Sequence, residues 1–190
     1  GFDISLNANF TWDHLNHLVK DHLLEKKWEW DSPDNYVVFH DCVFEYAKNG
    51  KVKCHWIFDF KFQDVSRKKV KLAAEMTPFW NKEKQILELR ELDWDLNARH
   101  QILQWGIQLE SWNQDWAKGK LMEISMTPYY PVLLEQSNRF WNNLNIENWK
   151  IRGKFEGVNI QKMIFQEAGC QLEIEATGNV KVKVSGIPWN

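Results

Sequence analysis

The longest helical pattern in the chain lies between Ala98 and Ala117. Its apolar residues recur at spacings of three and four, which places them on one side of an α-helix. Twenty helical residues span about 30 Å, so the pattern predicts one long amphipathic helix. The members of the stripe are Ile102, Trp105, Leu109, Trp112 and Trp116.

Two stretches alternate apolar and polar residues over more than ten positions, which is typical of strands with one buried face. They are Lys51–Gln63 and Cys170–Val184, about twice the usual strand length. Strands this long need a long partner surface, and the helix supplies one. Because sheets twist and coil, we expect a strongly curved antiparallel sheet wrapped around the helix.

The clearest local signal is the turn between two alternating runs, which both place even-numbered apolar residues on one face. Paired residues must therefore sum to an even number. This predicts a three-residue loop, Lys48–Gly50, with Gly50 in the left-handed region and Phe44 opposite Cys54. Cys42 and Cys54 then lie diagonally, ~7–8 Å apart, and we expect free thiols.

Further elements follow from the same two periodicities. A strand from Phe2 to Phe10 leads into a helix capped by Thr11. A turn is predicted at Ser32–Asn35, and the segment Thr77–Asn81 is predicted to end a strand. A change of parity at Arg90-Glu91 indicates a β-bulge.

A second amphipathic helix is predicted after Met126, and the chain closes with strands at Trp149–Phe155, Val158–Phe165 and Cys170–Val184. One face of this helix carries Tyr129, Leu133, Gln136, Phe140 and Leu144. The predicted order β-α-β-β-β-β-α-α-β-β-β is that of a single α+β domain over residues 1–190.

Composition narrows the possible functions. A formal net charge of −2 with 26% charged residues excludes a general electrostatic footprint for nucleic acid. No apolar run approaches bilayer length, so no transmembrane segment is expected. The chain opens on a strand pattern without a signal peptide, and we expect a precursor to have carried any targeting segment. Twelve Trp, eleven Phe and four Tyr indicate either a core built from large rings or a surface or cavity that binds sugars or lipids.

No pattern of catalytic residues accompanies this architecture. His14, His17 and His22 lie on or near one helix but lack a third ligand at fixed spacing, so a solvated face is favoured over a metal site. Asp93 and Asp95 are two residues apart on a strand, where carboxylates are normally solvated rather than catalytic. We therefore expect a non-enzymatic protein with no catalytic residues, no metal and no cofactor.

Several segments together resemble a known family. It is the 4403 domain-of-unknown-function family, bacterial envelope proteins related in fold to the tubular lipid-binding (TULIP) superfamily. The segments that carry the resemblance are Asn9–Asn16, Val70–Trp80, Leu87–Leu96, Val158–Phe165 and Leu172–Gly178. They cover nearly the whole chain.

The resemblance implies a TULIP-like architecture, in which a long helix lies in a strongly curved sheet and the groove between them takes up apolar molecules. Full-length members resemble two such units in tandem, so the chain is expected to be one unit of a longer protein. It also implies the bacterial cell envelope or periplasm as location. The expected partners are a lipid or other apolar small molecule and a second unit of the same full-length chain.

The leading hypothesis is therefore a binding module for a lipid or other apolar ligand. The predicted groove is lined by Trp56, Phe58, Phe60, Leu109, Trp112, Trp116 and Phe140. One alternative is a structural or scaffolding domain whose groove is filled by its own side chains. Another is a glycan-binding module that uses exposed tryptophans, for which the candidates are Trp28, Trp30, Trp80 and Trp189.

Overall fold

The computed structural model describes residues 2–24, 26–142, 145–146 and 149–184, and the side chains of 3–24, 26–139 and 154–179. Helices and strands alternate irregularly along the chain, as the predicted α+β class requires. The strands are β1 (Phe2–Thr11), β2 (Lys27–Trp30), β3 (Ser32–Tyr46), β4 (Val52–Phe62), β5 (Val65–Asn81), β6 (Ile86–Trp94), β7 (Glu123–Ser125), β8 (Asn145–Ile146), β9 (Trp149–Gln166) and β10 (Gly169–Val184). The helices are α1 (Trp12–Leu23), α2 (Leu96–Gln104), α3 (Leu109–Lys118) and α4 (Tyr130–Asn142).

The strands form two antiparallel sheets. The large sheet has the order β2-β3-β4-β5-β6-β7 and curls into a half-barrel. Its concave face packs against α3 through aromatic side chains. The small sheet has the order β1-β10-β9-β8, and α4 packs on β9. The predicted strongly curved antiparallel sheet is confirmed.

The β3–β4 hairpin has the predicted register. Phe44 pairs with Cys54, and Gly50 has a φ of 74°. Asn49 is also left-handed, with a φ of 63°, so two consecutive residues turn the chain within a 3₁₀ turn. Both cysteines of the hairpin are free thiols, as predicted, and the Sγ atoms of Cys42 and Cys54 lie 3.5 Å apart in the core.

The prediction of one continuous helix from Ala98 to Ala117 is wrong. The chain leaves α2 at Gly106, whose φ is 77°. The Gly106 N–H donates to the Leu103 carbonyl (3.0 Å) and the Ile107 N–H donates to the Ile102 carbonyl (3.3 Å). This pair of bonds is the Schellman motif. The two residues at the positions of its usual apolar contact, Ile102 and Ile107, are both buried. A glycine in the left-handed region therefore divides the predicted helix into α2 and α3.

Three strand boundaries also differ from the prediction. The turn expected at Ser32–Asn35 falls earlier, at Asp31 (φ 59°), and β2 precedes it. The segment Thr77–Asn81 does not end a strand but continues β5. Its proline is tolerated because β4 pairs with β5 only as far as Met76, so within the described structure no strand pairs with that edge of β5 beyond Met76. The two strands predicted within 149–165 are one strand, β9.

The β-bulge predicted at Arg90-Glu91 is confirmed. Pairing of β5 with β6 shifts between Glu75 and Thr77, and Glu91 has a φ of 56°. The Thr77 hydroxyl donates to the Glu91 carboxylate (2.8 Å), which satisfies the displaced side chain. The bulge lets both halves of β6 direct apolar residues inward although their parity differs.

Among the described residues, three side-chain amides each bond both backbone groups of one residue on a separate element, and we call them amide clamps. In each, the amide NH₂ donates to a backbone carbonyl and the amide oxygen accepts the N–H of the same residue. The pairs are Asn16 with Phe44, Gln85 with Ile160, and Asn138 with Phe155. The clamps attach α1 to β3, the β5–β6 turn to β9, and α4 to β9. They provide hydrogen-bond partners for backbone groups of three buried residues.

Candidate functional site: a groove between α4 and the small sheet

The side chains predicted to line a ligand groove lie in the interior of the half-barrel. Trp56, Phe58 and Phe60 project from β4 toward Trp112 and Trp116 on α3, and all five are at most 1% exposed. Ring centroids are 5.0 Å apart for Phe60 and Trp112 and 5.3 Å apart for Phe58 and Trp116. The structure brings these residues together, but in direct contact with one another.

The other two predicted lining residues are placed differently. Leu109 is half-buried at the start of α3 and packs against the same core. The side chain of Phe140 lies outside the described residues. In the described part of the chain, the space between α3 and the large sheet is occupied by aromatic rings. A ligand could enter that space only if the rings moved apart.

The interior also contains indole N–H groups without hydrogen-bond partners. Within the described residues, Trp56, Trp112 and Trp116 each bury an unpartnered Nε1. Trp94, beside them, donates instead to Oδ1 of Asn113 (2.7 Å). A buried donor without a partner costs about 1–3 kcal/mol. The apolar area that each indole buries offsets this cost, and the surrounding rings, whose faces carry partial negative charge, reduce it.

The tryptophans considered for glycan binding do not form an exposed platform in the described part of the chain. Trp30 is buried, and Trp28 and Trp80 are half-buried. The indole of Trp28 donates to the Leu23 carbonyl (3.2 Å) and that of Trp80 to the Ile160 carbonyl (3.0 Å). Trp189 lies outside the described residues.

An open groove lies elsewhere, between α4 and the small sheet. It has a volume of about 420 Å³, within the usual size range of small-molecule sites. Strands β1 and β10 form one wall and α4 forms the other. The lining residues are Ser5, Leu6, Asn7, Ala8, Leu133, Gln136, Ser137 and Ile174.

The groove exists because α4 covers only part of the small sheet. The helix is clamped to β9 through Asn138, whose amide bonds both backbone groups of Phe155. Strand β1 lies on the far side of β10, and its apolar face is only half-buried at Ile4, Leu6 and Ala8. An apolar strand face is thus left partly uncovered beside the helix.

The packing of apolar residues divides at the same place. Leu133 and Ile174 belong to the main core. A smaller cluster forms around Phe155 and Ala176, with Leu6 packed against it. The groove lies where these two clusters separate, which is why its walls are apolar but are not in contact.

Among the described residues, the groove lining carries no charge. Its apolar members are Leu6, Ala8, Leu133 and Ile174, and the remaining four are neutral polar residues. The Ser137 hydroxyl is already committed, because it donates to the Leu133 carbonyl (2.8 Å). This arrangement suits an apolar ligand and offers no ionic contact to orient a charged group.

The groove was not predicted from the sequence, although part of its signal is there. The alternation along β1 correctly predicts a half-buried face, and the spacing around Leu133 correctly predicts an amphipathic helix. Which strand the helix covers is set by the Asn138 clamp, a contact between residues 17 positions apart. No local pattern encodes that contact.

Comparison with known families identifies the chain. The family model described as a domain of unknown function, DUF4403, matches residues 1–184. The chain belongs to the DUF4403 family. Neither the search of curated proteins nor the search of solved structures gave a match. Among the described residues of this DUF4403 domain, no helix is long and apolar enough to cross a bilayer.

Proposed function

We propose that this DUF4403 domain is a non-enzymatic binding module for a lipid or other apolar ligand at the bacterial cell envelope, with a TULIP-like mode of action. The ligand occupies the groove between α4 and the small sheet. The observation that carries the proposal is the uncharged groove of about 420 Å³ beside the half-buried face of β1.

Chain length rather than head-group chemistry determines affinity in this proposal. Each methylene transferred from water to an apolar wall contributes about 0.8 kcal/mol. Two additional carbons should therefore tighten binding roughly tenfold until the groove is full. The described lining residues include no charged side chain that would favour one head group over another.

The test is displacement of a fluorescent fatty acid by unlabelled saturated fatty acids and alcohols of graded length. Affinity should rise with length and differ little between an acid and the alcohol of the same length. A flat response across both series would remove the support for a ligand site.

Three variants locate the site. Ala8→Phe adds a ring to the groove and should abolish the length dependence, whereas Ala117→Phe adds the same ring on an exposed face of α3 and should leave it unchanged. Leu109→Trp adds bulk to the interior predicted from sequence. If Leu109→Trp blocked binding and Ala8→Phe did not, the ligand would lie in the half-barrel instead.

A structural or scaffolding role is the second candidate. It is favoured by the interior of the half-barrel, where Trp56, Trp112 and Trp116 fill the space between α3 and the sheet. In this role the domain would bind no apolar ligand, and the displacement experiment would show no length dependence for the unmodified chain.

A further inference from the structure

Strand β1 differs from every other sheet margin in the described structure. It is ten residues long, and all ten residues pair with β10 without a register shift. No described strand and no described side chain hydrogen-bonds to its other edge. A long, regular and unpaired edge presents a row of free backbone N–H and C=O groups, which is a template for another strand.

The remaining margins are short or covered. The other terminal strands of the two sheets are β2, β7 and β8, with four, three and two residues. Where β3 extends beyond β2, the Asn16 clamp bonds Phe44. Where β9 extends beyond β8, the Gln85 and Asn138 clamps bond Ile160 and Phe155. Beyond Met76, the edge of β5 that β4 does not pair is only five residues long and is interrupted by Pro78. Strand β1 is therefore the long, uninterrupted margin among the described strands.

The sequence of β1 also lacks the features by which natural edge strands avoid association. It contains no proline, no lysine and no bulge, and its only charged residue is Asp3. Its exposed face carries small neutral residues at Ser5, Asn7 and Asn9. Such a strand is compatible with close approach by a second strand of the same kind.

We propose that β1 is a self-association edge, on which β1 of a second copy of this chain pairs antiparallel about a two-fold axis. Antiparallel pairing keeps apolar residues on one face only when the two residue numbers sum to an even value. A sum of twelve pairs all five apolar residues of the strand: Leu6 with Leu6 of the second copy, Ile4 with Ala8, and Phe2 with Phe10.

The same register also avoids repulsion between like charges on the two copies. Asp3 lies opposite Asn9 of the second copy, and Ser5 lies opposite Asn7, so no like charges face each other. Nine residues of each copy are paired, which gives about nine interstrand hydrogen bonds. A typical protein interface has about ten. The continuous sheet that results has a two-fold axis at Leu6, as an isologous interface requires.

Two double variants at the same positions test both the edge and the register. Ser5→Lys with Asn7→Lys places ammonium groups opposite each other twice across the axis and should weaken dimerisation at least tenfold. Ser5→Glu with Asn7→Lys places opposite charges there and should preserve or tighten the dimer. A control with Gln171→Lys and Thr177→Lys adds two positive charges to β10, which has neighbours on both sides, and should leave dimerisation unchanged.

The measurement is sedimentation equilibrium at low salt across about 1–100 µM chain, a range that detects micromolar dissociation constants. Circular dichroism confirms that each variant is folded. The unmodified chain should show a concentration-dependent dimer. A monomer throughout that range would overturn the proposal, and so would identical behaviour of the two double variants or dissociation of the control. Ser5 and Asn7 also line the groove, but no ligand is added in this experiment, so its outcomes do not depend on whether the groove binds one.

Discussion

At the scale of single residues, the interior of the half-barrel shows packing taking precedence over hydrogen bonding. Trp112 contacts Phe60, Phe62 and Trp116, with ring centroids 5.0, 4.6 and 5.6 Å away. Its indole N–H has no hydrogen-bond partner within the described residues. A large ring in a fully buried position stabilises the fold even when its one polar atom is unsatisfied, because the apolar area that it buries is much larger.

Replacing Trp112 by alanine should lower the free energy of unfolding by about 3–5 kcal/mol, the range for large aromatic residues removed from cores. The residue is fully buried, as the helical stripe predicted. Urea denaturation followed by circular dichroism measures the loss. Trp112→Phe is the matched control and should cost clearly less, since it retains a ring and removes the unpartnered N–H. A loss below about 1 kcal/mol for the alanine variant would show that this position is not part of a rigid core.

At the scale of elements, the break between α2 and α3 depends on one glycine. The spacing of the apolar residues from Ile102 to Trp116 would otherwise predict a single helix. Gly106 ends α2 with a φ of 77°, and a Cβ built there meets no atom within 4 Å. The requirement for glycine is therefore conformational rather than steric.

Gly106→Ala should destabilise the domain by about 1–2 kcal/mol, because an L-residue with a side chain pays a penalty in the left-handed region. Gly106→Asn should cost less, since asparagine tolerates that region. Denaturation midpoints give the two values, and the far-UV spectrum reports helix content. If the alanine variant gained helix content without losing stability, α2 and α3 would have merged and our account of the break would be incorrect.

Local pattern accounts for most of the remaining elements. The shared parity of β3 and β4 predicted both the left-handed Gly50 and the pairing of Phe44 with Cys54. The change of parity in β6 predicted its bulge. These predictions were correct because strand periodicity and turn geometry act between residues close in sequence. The prediction that a strand ends at Thr77–Asn81 was wrong. Pro78 is tolerated within β5 because β4 stops pairing before it, and the sequence around Pro78 does not show where a different strand stops.

At the scale of the whole molecule, Gln85 joins the two sheets at Ile160, whose carbonyl also accepts the Trp80 indole N–H. The Gln85 amide bonds both backbone groups of Ile160, and its oxygen also accepts the Tyr130 hydroxyl. Burial raises the pKa of Tyr130 to about 12, so this hydroxyl remains protonated and donates at physiological pH. The β5–β6 turn of the half-barrel, strand β9 and the start of α4 therefore meet at a single buried amide.

Gln85→Leu should lower the free energy of unfolding by about 2–6 kcal/mol, because the Ile160 N–H and the Tyr130 hydroxyl each lose a partner at about 1–3 kcal/mol. Gln63→Leu is the matched control. It also changes an amide at a residue with positive φ, but an exposed one, and should cost much less. Tryptophan fluorescence reports mainly on the half-barrel, and circular dichroism reports on the whole domain. Because Gln85 joins the two sheets, Gln85→Leu should also separate the unfolding transitions that these two methods record. Coincident transitions with an unchanged midpoint would show that the sheets are joined by other contacts.

The sequence by itself determined the α+β class, the family, the half-buried face of β1, the hairpin register and the burial of the aromatic stripe. Each rests on periodicity or on a turn residue, which act over a few positions. Tertiary structure decided how the aromatic residues fill the half-barrel, which strands α4 covers, and where an open groove remains. Those outcomes depend on the amide clamps and on ring packing between residues far apart in the chain, and no local pattern carries that information.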